Sequence, residues 1–385
     1  MRTLHRKVAI VGVGESDEVG RVAGKSPLDL ATEACLAAIA DAGITKDQID
    51  GLYTTQSIAD GSQVMASALT EHLRIRPCFA TWMPYGGMAT ASILLYAAAA
   101  VEAGLCHTIL VCSADNLLSG RTRGGAVAKF SEIGHPDFEQ PYGGTVPAYY
   151  ALFAQRYMFE YGVTARQAAA VAVGARRHAS LNPRSHMRTP ITVDDVLASK
   201  LIADPFRTLD CALVSDGGAA FIVTAADRAR DFRKKPIYLL GAGAATTHQH
   251  VSESPTFTAT PNTEAARVAF GMAGVTPADA DIFYPYDNFT WMVLAQLEGT
   301  GFCGRGEAGA FVEGGRIEIG GQLPVSTHGG LLSYAHPGRP IFSVVEAVRQ
   351  LRGEASGRQV EDAELAVVNA MGGIHSTVAV HVLGT

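Results

Sequence analysis

The chain has 385 residues, 48% of them hydrophobic, enough to bury a large core and to form two domains. A formal net charge of −6, with no basic block, excludes nucleic acid as an expected partner. Six scattered cysteines without CxxC or zinc spacing, no signal-peptide pattern and no bilayer-length apolar run predict a cytoplasmic protein with reduced thiols and no membrane contact.

Residues 7–14, KVAIVGVG, read as a buried strand ending in glycines. The next stretch, SPLDLATEACLAAIADAGITKDQIDGLYTT, reads as a helix capped by Ser26, a stop at Gly43, a short loop and a second strand. Residues 84–104, PYGGMATASILLYAAAAVEAG, set the turn Tyr85, Gly86, Gly87, Met88 before a buried small-residue helix. Such a helix start presents free N–H groups and a positive dipole end, a place for a nucleophile or an oxyanion. This turn holds neither Cys nor Ser. TILVCSA, residues 108–114, is another strand. Residues 119–199, rich in Arg, His, Tyr and Gly, form an excursion with an aromatic amphipathic helix and a basic loop, RRHASLNPRSHMR. An excursion of this kind inside an α/β unit shapes a binding site. SDGGAAFIVT, residues 215–224, returns to core strand.

The first pattern then repeats. KPIYLLGAG at 235–243 matches 7–14. TEAARVAFGMAGVTPADADIFYPYDNF matches the first helix, with Thr263 as cap and Gly274 as stop, followed by loop and strand. Gly329-Gly330 and a helix match Gly86-Gly87, and ELAVVNA at 364–370 matches TILVCSA. Four matched pairs in register imply a duplicated α/β fold with mixed sheets covered by helices. The expected division is residues 1–118 with 200–234 as one half, 119–199 as a loop domain and 235–385 as the other half. GVGESDEVG lacks a third glycine at dinucleotide spacing, which argues against NAD. His248 and His250 read as exposed loop residues, not metal ligands.

The two halves, the paired Gly-Gly turns, SDGGAAFIV and THGGLLSYAHPGRP resemble the thiolase superfamily over essentially the whole chain. QRYMFEYGVTARQAAAVAVGARRHASLNPRS resembles its sterol-carrier-protein-X thiolase and lipid-transfer-like branch. The resemblance implies a five-layer αβαβα thiolase fold with an inserted loop domain, a homodimer, and acyl-CoA substrates. Coenzyme A would enter as part of the substrate, with no cofactor bound by the chain itself. The family's nucleophilic Cys falls on Gly87, with Met88 the alternative, and its second Cys falls on Ala370; Cys78 lies too far upstream to substitute. The branch motif His-Asp-x-Phe stands here as Tyr286, Asp287, Asn288, Phe289. Gly-Gly-x4-Gly-His-Pro persists as Gly329, Gly330, Ala335, His336, Pro337. Condensation through an acyl-cysteine is therefore excluded.

Tyr286, Tyr334, His328 and His336 are expected to converge where the family's Cys, His and Cys meet. A phenol, with a usual pKa of about 10, becomes a base only beside a cation or a strong hydrogen bond, and as a neutral group donates to an oxyanion. Backbone N–H groups at Gly87 keep an oxyanion role whatever the side chain. This suits retro-aldol cleavage of a β-hydroxyacyl-CoA. The chain resembles the Cys-less steroid side-chain-cleaving aldolases, which use tyrosines here and work with a small zinc-ribbon/OB-fold partner. The resemblance implies Tyr286 as base or acid, Tyr334 as its alternate or helper, and His336 as an orienting or oxyanion group. His328 either joins the catalysis or ties down the glycine turn. Gly87, Met88 and Gly330 shape substrate-binding turns, Asn288 binds a water or holds backbone, and Asp287 holds backbone. In the family the region of Arg176, Arg177, Arg184 and Arg188 lines the approach of CoA; phosphate binding and solvated surface both stand for these arginines. A non-catalytic acyl-CoA or lipid carrier, and a scaffold subunit of an acyltransferase complex, are the alternative functions.

Overall fold

The computed structural model describes residues 4–60, 64–84, 86–121, 123–337 and 340–385, so Tyr85 of the glycine turn lies outside it. Its strands are β1 (Val8–Glu15), β2 (Gly51–Thr55), β3 (Phe79–Met83), β4 (Thr108–Asn116), β5 (Leu201–Ala203), β6 (Phe206–Arg207), β7 (Asp216–Ala225), β8 (Ile237–Thr246), β9 (Ile282–Tyr284), β10 (Leu365–Gly372) and β11 (Thr377–Gly384). The helices are α1 (Pro27–Ala42), α2 (Met65–Leu73), α3 (Ala89–Glu102), α4 (Arg123–Ser131), α5 (Val146–Tyr161), α6 (Ala165–Leu181), α7 (Val193–Ala198), α8 (Asn262–Ala273), α9 (Thr290–Thr300), α10 (Ala308–Phe311) and α11 (Ile341–Arg352).

The main sheet runs β3-β2-β4-β7-β1-β8-β11-β10-β9, and the sequence echo is visible in that order. Each half has an antiparallel pair, β1–β7 or β8–β11, followed outward by a parallel pair, β2–β4 or β9–β10. Where the first half adds β3, the second has a single parallel bridge from Phe283 to Val325. In the sheet the halves join through the β1–β8 register pairs Ala9–Tyr238 and Ile10–Ile237. α1 covers the strands of the first half and α8 those of the second, while α3 and α11 touch strands of both. That is the duplicated α/β arrangement the sequence echo implies. The position of α3 against strands of both halves explains its composition: there is room for Ile93, Leu94, Ala97 and Ala98, all fully buried, and little more.

The glycines of β1 and β8 serve packing. A Cβ on Gly12 or Gly14 would lie 2.5 or 2.4 Å from the carbonyl oxygens of Ala38 and Ala34 in α1. On Gly241 or Gly243 it would lie 2.0 Å from those of Ala269 and Ala265 in α8. The same close approach of helix to strand is thus built twice, and it accounts for the G-x-G pattern without a nucleotide.

Two local expectations are corrected. Ser26 caps α1 with a full capping box, and Gly43 closes it at φ 72°. Thr263, however, lies inside α8, because Pro261 with its fixed φ starts that helix earlier. Likewise half of the basic loop is helix: the Thr164 capping box launches α6, which runs through Arg176 and Arg177 to Leu181.

Candidate active site

β3 ends at Met83, and a single 3-10 turn, Gly86–Met88, leads into α3. Gly86 takes φ 57°, which favours glycine. Gly87 is required for another reason. A Cβ there would lie 2.2 Å from the Met371 carbonyl oxygen, 2.6 Å from Tyr286 Cζ and 2.7 Å from Tyr286 Oη. The phenol therefore stands where a nucleophile's side chain would begin. Met88 is buried against Ala370 and Ala379. Of the two positions where the resemblance places sulfur, one is filled by a tyrosine hydroxyl and the other is packed by a methionine.

Tyr286 follows β9, and its backbone is held on both sides by one amide. Its N–H donates to Gln296 Oε1 at 2.9 Å, and Gln296 Nε2 donates to its carbonyl at 2.9 Å. His336 is held as firmly: its N–H donates to Ser215 Oγ at 2.5 Å, and ring Nδ1 lies 3.2 Å from the Leu213 carbonyl. A carbonyl only accepts, so that contact assigns the proton to Nδ1 and leaves the Nε2 lone pair for Tyr286 Oη, 3.5 Å away. The two rings meet edge to face, centroids 6.1 Å apart.

Tyr334 and His328 form a separate pair, with ring centroids 5.3 Å apart. The Tyr334 hydroxyl donates to Glu15 Oε2 at 2.9 Å. Burial, followed by the charge of Glu15, raises this phenol far above its usual pKa. Burial alone would raise Glu15 too, but Arg349 and Arg184, each 3.0 Å away, hold it below the usual carboxylate value. His328 is buried with neither ring nitrogen hydrogen-bonded among the described residues, and burial pushes its pKa down to about 4, so the ring is neutral. The expected convergence of four side chains thus resolves into two pairs. The π-helical turn Gly330–Tyr334 gives way to extended backbone at Ala335, and the side chains on either side of that change part company.

Asp287 ties the two motifs together. Its Oδ1 accepts the Leu331 N–H at 2.9 Å, while Oδ2 lies 1.8 Å from where a Cβ on Gly330 would be. Gly330, at φ 63°, is thus required by both its backbone and its neighbour. Oδ2 has no hydrogen-bond partner among the described residues, and burial pushes this carboxyl up to about 7. Asn288 is buried beside Tyr150, with Oδ1 unpartnered among the described residues, and its carbonyl accepts from Ala212 N–H at 2.8 Å. Gln296, Ser215 and Glu15 have no site role that the sequence assigns. Gln296 carries no motif, Ser215 opens SDGGAAFIVT, which points to core strand and to the family but to no site role, and Glu15 lies in the stretch weighed only for nucleotide binding.

The basic stretch disperses. Arg176 is buried against Ser333 Oγ, Arg177 pairs with Glu318, and Arg184 pairs with Glu15. His248 and His250 are half-buried, not exposed, because His250 packs on His135.

Comparison with known proteins follows the same lines. The family described as thiolase C-terminal domain-like matches residues 243–385. A 17-hydroxy-3-oxo-4-pregnene-20-carboxyl-CoA lyase of Mycobacterium tuberculosis is 36% identical, covering 96% of this chain and 98% of its own length. An acetyl-CoA acetyltransferase of Methanothermobacter thermautotrophicus is 34% identical, covering 98% of this chain and 99% of its own. The solved structure of an Ltp2-ChsH2(DUF35) aldolase superposes with a TM-score of 0.89 at 34% identity, covering 99% of this chain and 98% of that one.

Proposed function

The chain belongs to the thiolase superfamily, in its sterol-carrier-protein-X and lipid-transfer-like branch, and on that premise we propose that it is a carbon–carbon lyase cleaving a β-hydroxyacyl-CoA by a retro-aldol route. The observation that carries this reading is the Tyr286 hydroxyl standing in the volume of a residue-87 side chain, with His336 Nε2 3.5 Å from it. The substrate's β-hydroxyl gives its proton to Tyr286 Oη as the phenol passes its own to His336 Nε2. The Cα–Cβ pair then flows into a thioester enolate, and the β-carbon leaves as ketone or aldehyde. N–H groups at the start of α3 stabilise the enolate oxygen. Return of the proton from His336 through Tyr286 to Cα completes the shortened acyl-CoA.

No thiol is required at any step. Gly87 and Ala370 bear no sulfur, so the acetyl transfer named for the Methanothermobacter relative would lack its nucleophile here. The pregnene carboxyl-CoA in the lyase relative's name supports a steroid side chain as the acyl group, with coenzyme A arriving as part of the substrate. The ChsH2(DUF35) component in the name of the similar structure supports a small partner protein, expected to carry a zinc ribbon and an OB fold. β3 ends the main sheet with its outer edge unpaired among the described residues, which supports a homodimer. All six cysteines are unbridged, and no helix among the described residues is long and apolar enough to cross a membrane; both support a cytoplasmic location.

The test is cleavage of a panel of β-hydroxyacyl-CoAs, steroid side-chain types included, with and without the small partner. Carbonyl release that falls by roughly 10²–10⁴-fold in Tyr286→Phe supports the reading. Acyl-CoA binding without turnover, even with the partner present, makes the chain a carrier or scaffold.

A further inference from the structure

Glu15, which holds the Tyr334 hydroxyl, also lines an open cleft of about 840 Å³ that the chemistry above leaves unused. Gly87, Tyr286 and His336 do not border it. Its walls come from the end of β1, the second half of α1, the segment after α6 and the segment after α11. Four arginines line it: Arg184, Arg233, Arg349 and Arg358.

Their charges are not evenly matched. Arg184 and Arg349 share the single carboxylate of Glu15, which leaves one positive charge in excess at that corner. Arg358 is matched by buried Glu346, which it holds through Nε and Nη2 at 2.8 and 2.7 Å. Of the acidic lining residues, Asp41 is held by Arg352 at 2.8 Å and Glu354 by Lys234 at 2.6 Å. Arg233 and Asp17 are exposed, and neither has an ion pair among the described residues. Counting the partners behind the walls, cations exceed carboxylates by one. Guanidinium forks match phosphate oxygens two at a time, and a cleft of this size takes a nucleotide-sized ligand with room beyond a lone phosphate. Gly357 puts bare backbone on the wall, where a Cβ would lie 3.4 Å from the carbonyl oxygen of Leu181, another lining residue.

We propose that this cleft is a binding site for a diphosphate-bearing molecule, held by the Arg184–Arg349 corner and by Arg233. The inference does not rest on the lyase reading, since binding is measured without turnover. The diphosphate has two sources: the nucleotide end of coenzyme A, or a separate nucleoside diphosphate.

The test is calorimetric titration of the whole chain with pyrophosphate, ADP and 3′-phosphoadenosine 5′-diphosphate. Arg233→Glu changes an exposed cleft residue, and Arg177→Glu, on a surface outside the cleft, controls for general charge; circular dichroism checks both folds. The expected result is binding that weakens at least tenfold in Arg233→Glu and is unchanged in Arg177→Glu. Displacement of the bound nucleotide by acyl-CoA assigns the site to the substrate's own diphosphate, and ADP retained under saturating acyl-CoA assigns it to a separate ligand. No binding of any of the three at millimolar concentration, or equal weakening in both variants, overturns the proposal.

Discussion

Tyr286 carries its hydroxyl 2.7 Å from the point where a side chain on Gly87 would begin, so the two residues cannot both extend into that space. Restoring a cysteine at position 87 alone therefore overpacks the turn, with the Met371 carbonyl oxygen closer still. Gly87→Cys is expected to cost about 1–3 kcal/mol in denaturant unfolding and to remain unacylated by acetyl-CoA in intact-mass measurements. A variant as stable as the parent that takes up an acetyl group would refute this packing account.

Glu15 and Tyr334 make unequal contributions. Tyr334→Phe removes one hydrogen bond from a carboxylate still held by two arginines, a loss of about 1–3 kcal/mol. Glu15→Gln strands the largely buried Arg349 and should cost more, about 3–5 kcal/mol. Because the Glu15 pKa is lowered on folding, its contribution is present above the unfolded carboxyl value of 4.5 and fades as pH falls below it. Urea midpoints at pH 7 and pH 4 check both the order and the narrowing gap.

Asp287 titrates in the opposite sense. With its pKa pushed up to about 7, the folded chain keeps a proton that the unfolded chain releases near 3.8. Stability contributed by this group is therefore lost as pH rises from about 4 to 7. Asp287→Asn keeps an acceptor for the Leu331 N–H and abolishes the titration. It should be more stable than the parent at pH 8, with the difference shrinking toward pH 4. A variant less stable at pH 8 would show that the charged carboxylate is needed there.

His328 offers a control for the candidate site. Its imidazole is neutral, buried and without a hydrogen bond among the described residues, and lies with Tyr334 instead of Tyr286. His328→Leu removes an unsatisfied polar group, so stability should hold or rise by roughly 1 kcal/mol, with turnover changed only a few-fold. A collapse of turnover with the fold intact would bring His328 back into the chemistry.

The duplicated halves were legible because hydrophobic runs, caps and glycine stops are local signals, and each occurs twice. Ser26 and Gly43 behave as their types dictate, while Thr263 was misread because the proline two residues earlier had already begun the helix. The site was legible only in part. Tyr286 and His336 meet as their motifs suggest. The direction of Tyr334, however, is decided by Glu15, 319 residues away in the chain. Nothing around Gln296 announces that its amide will clamp the Tyr286 backbone. Local propensity writes elements into a sequence; which buried polar groups find one another is settled only by the packed fold.

The crowding at Gly87 also sets two chemistries in competition for one volume. A thiol at 87 and the phenol of Tyr286 cannot both be seated there without displacing the turn. An exchange between covalent and acid–base chemistry at this turn is therefore a paired change, a side chain gained at 87 together with a smaller one at 286, and neither substitution alone leaves the space well filled.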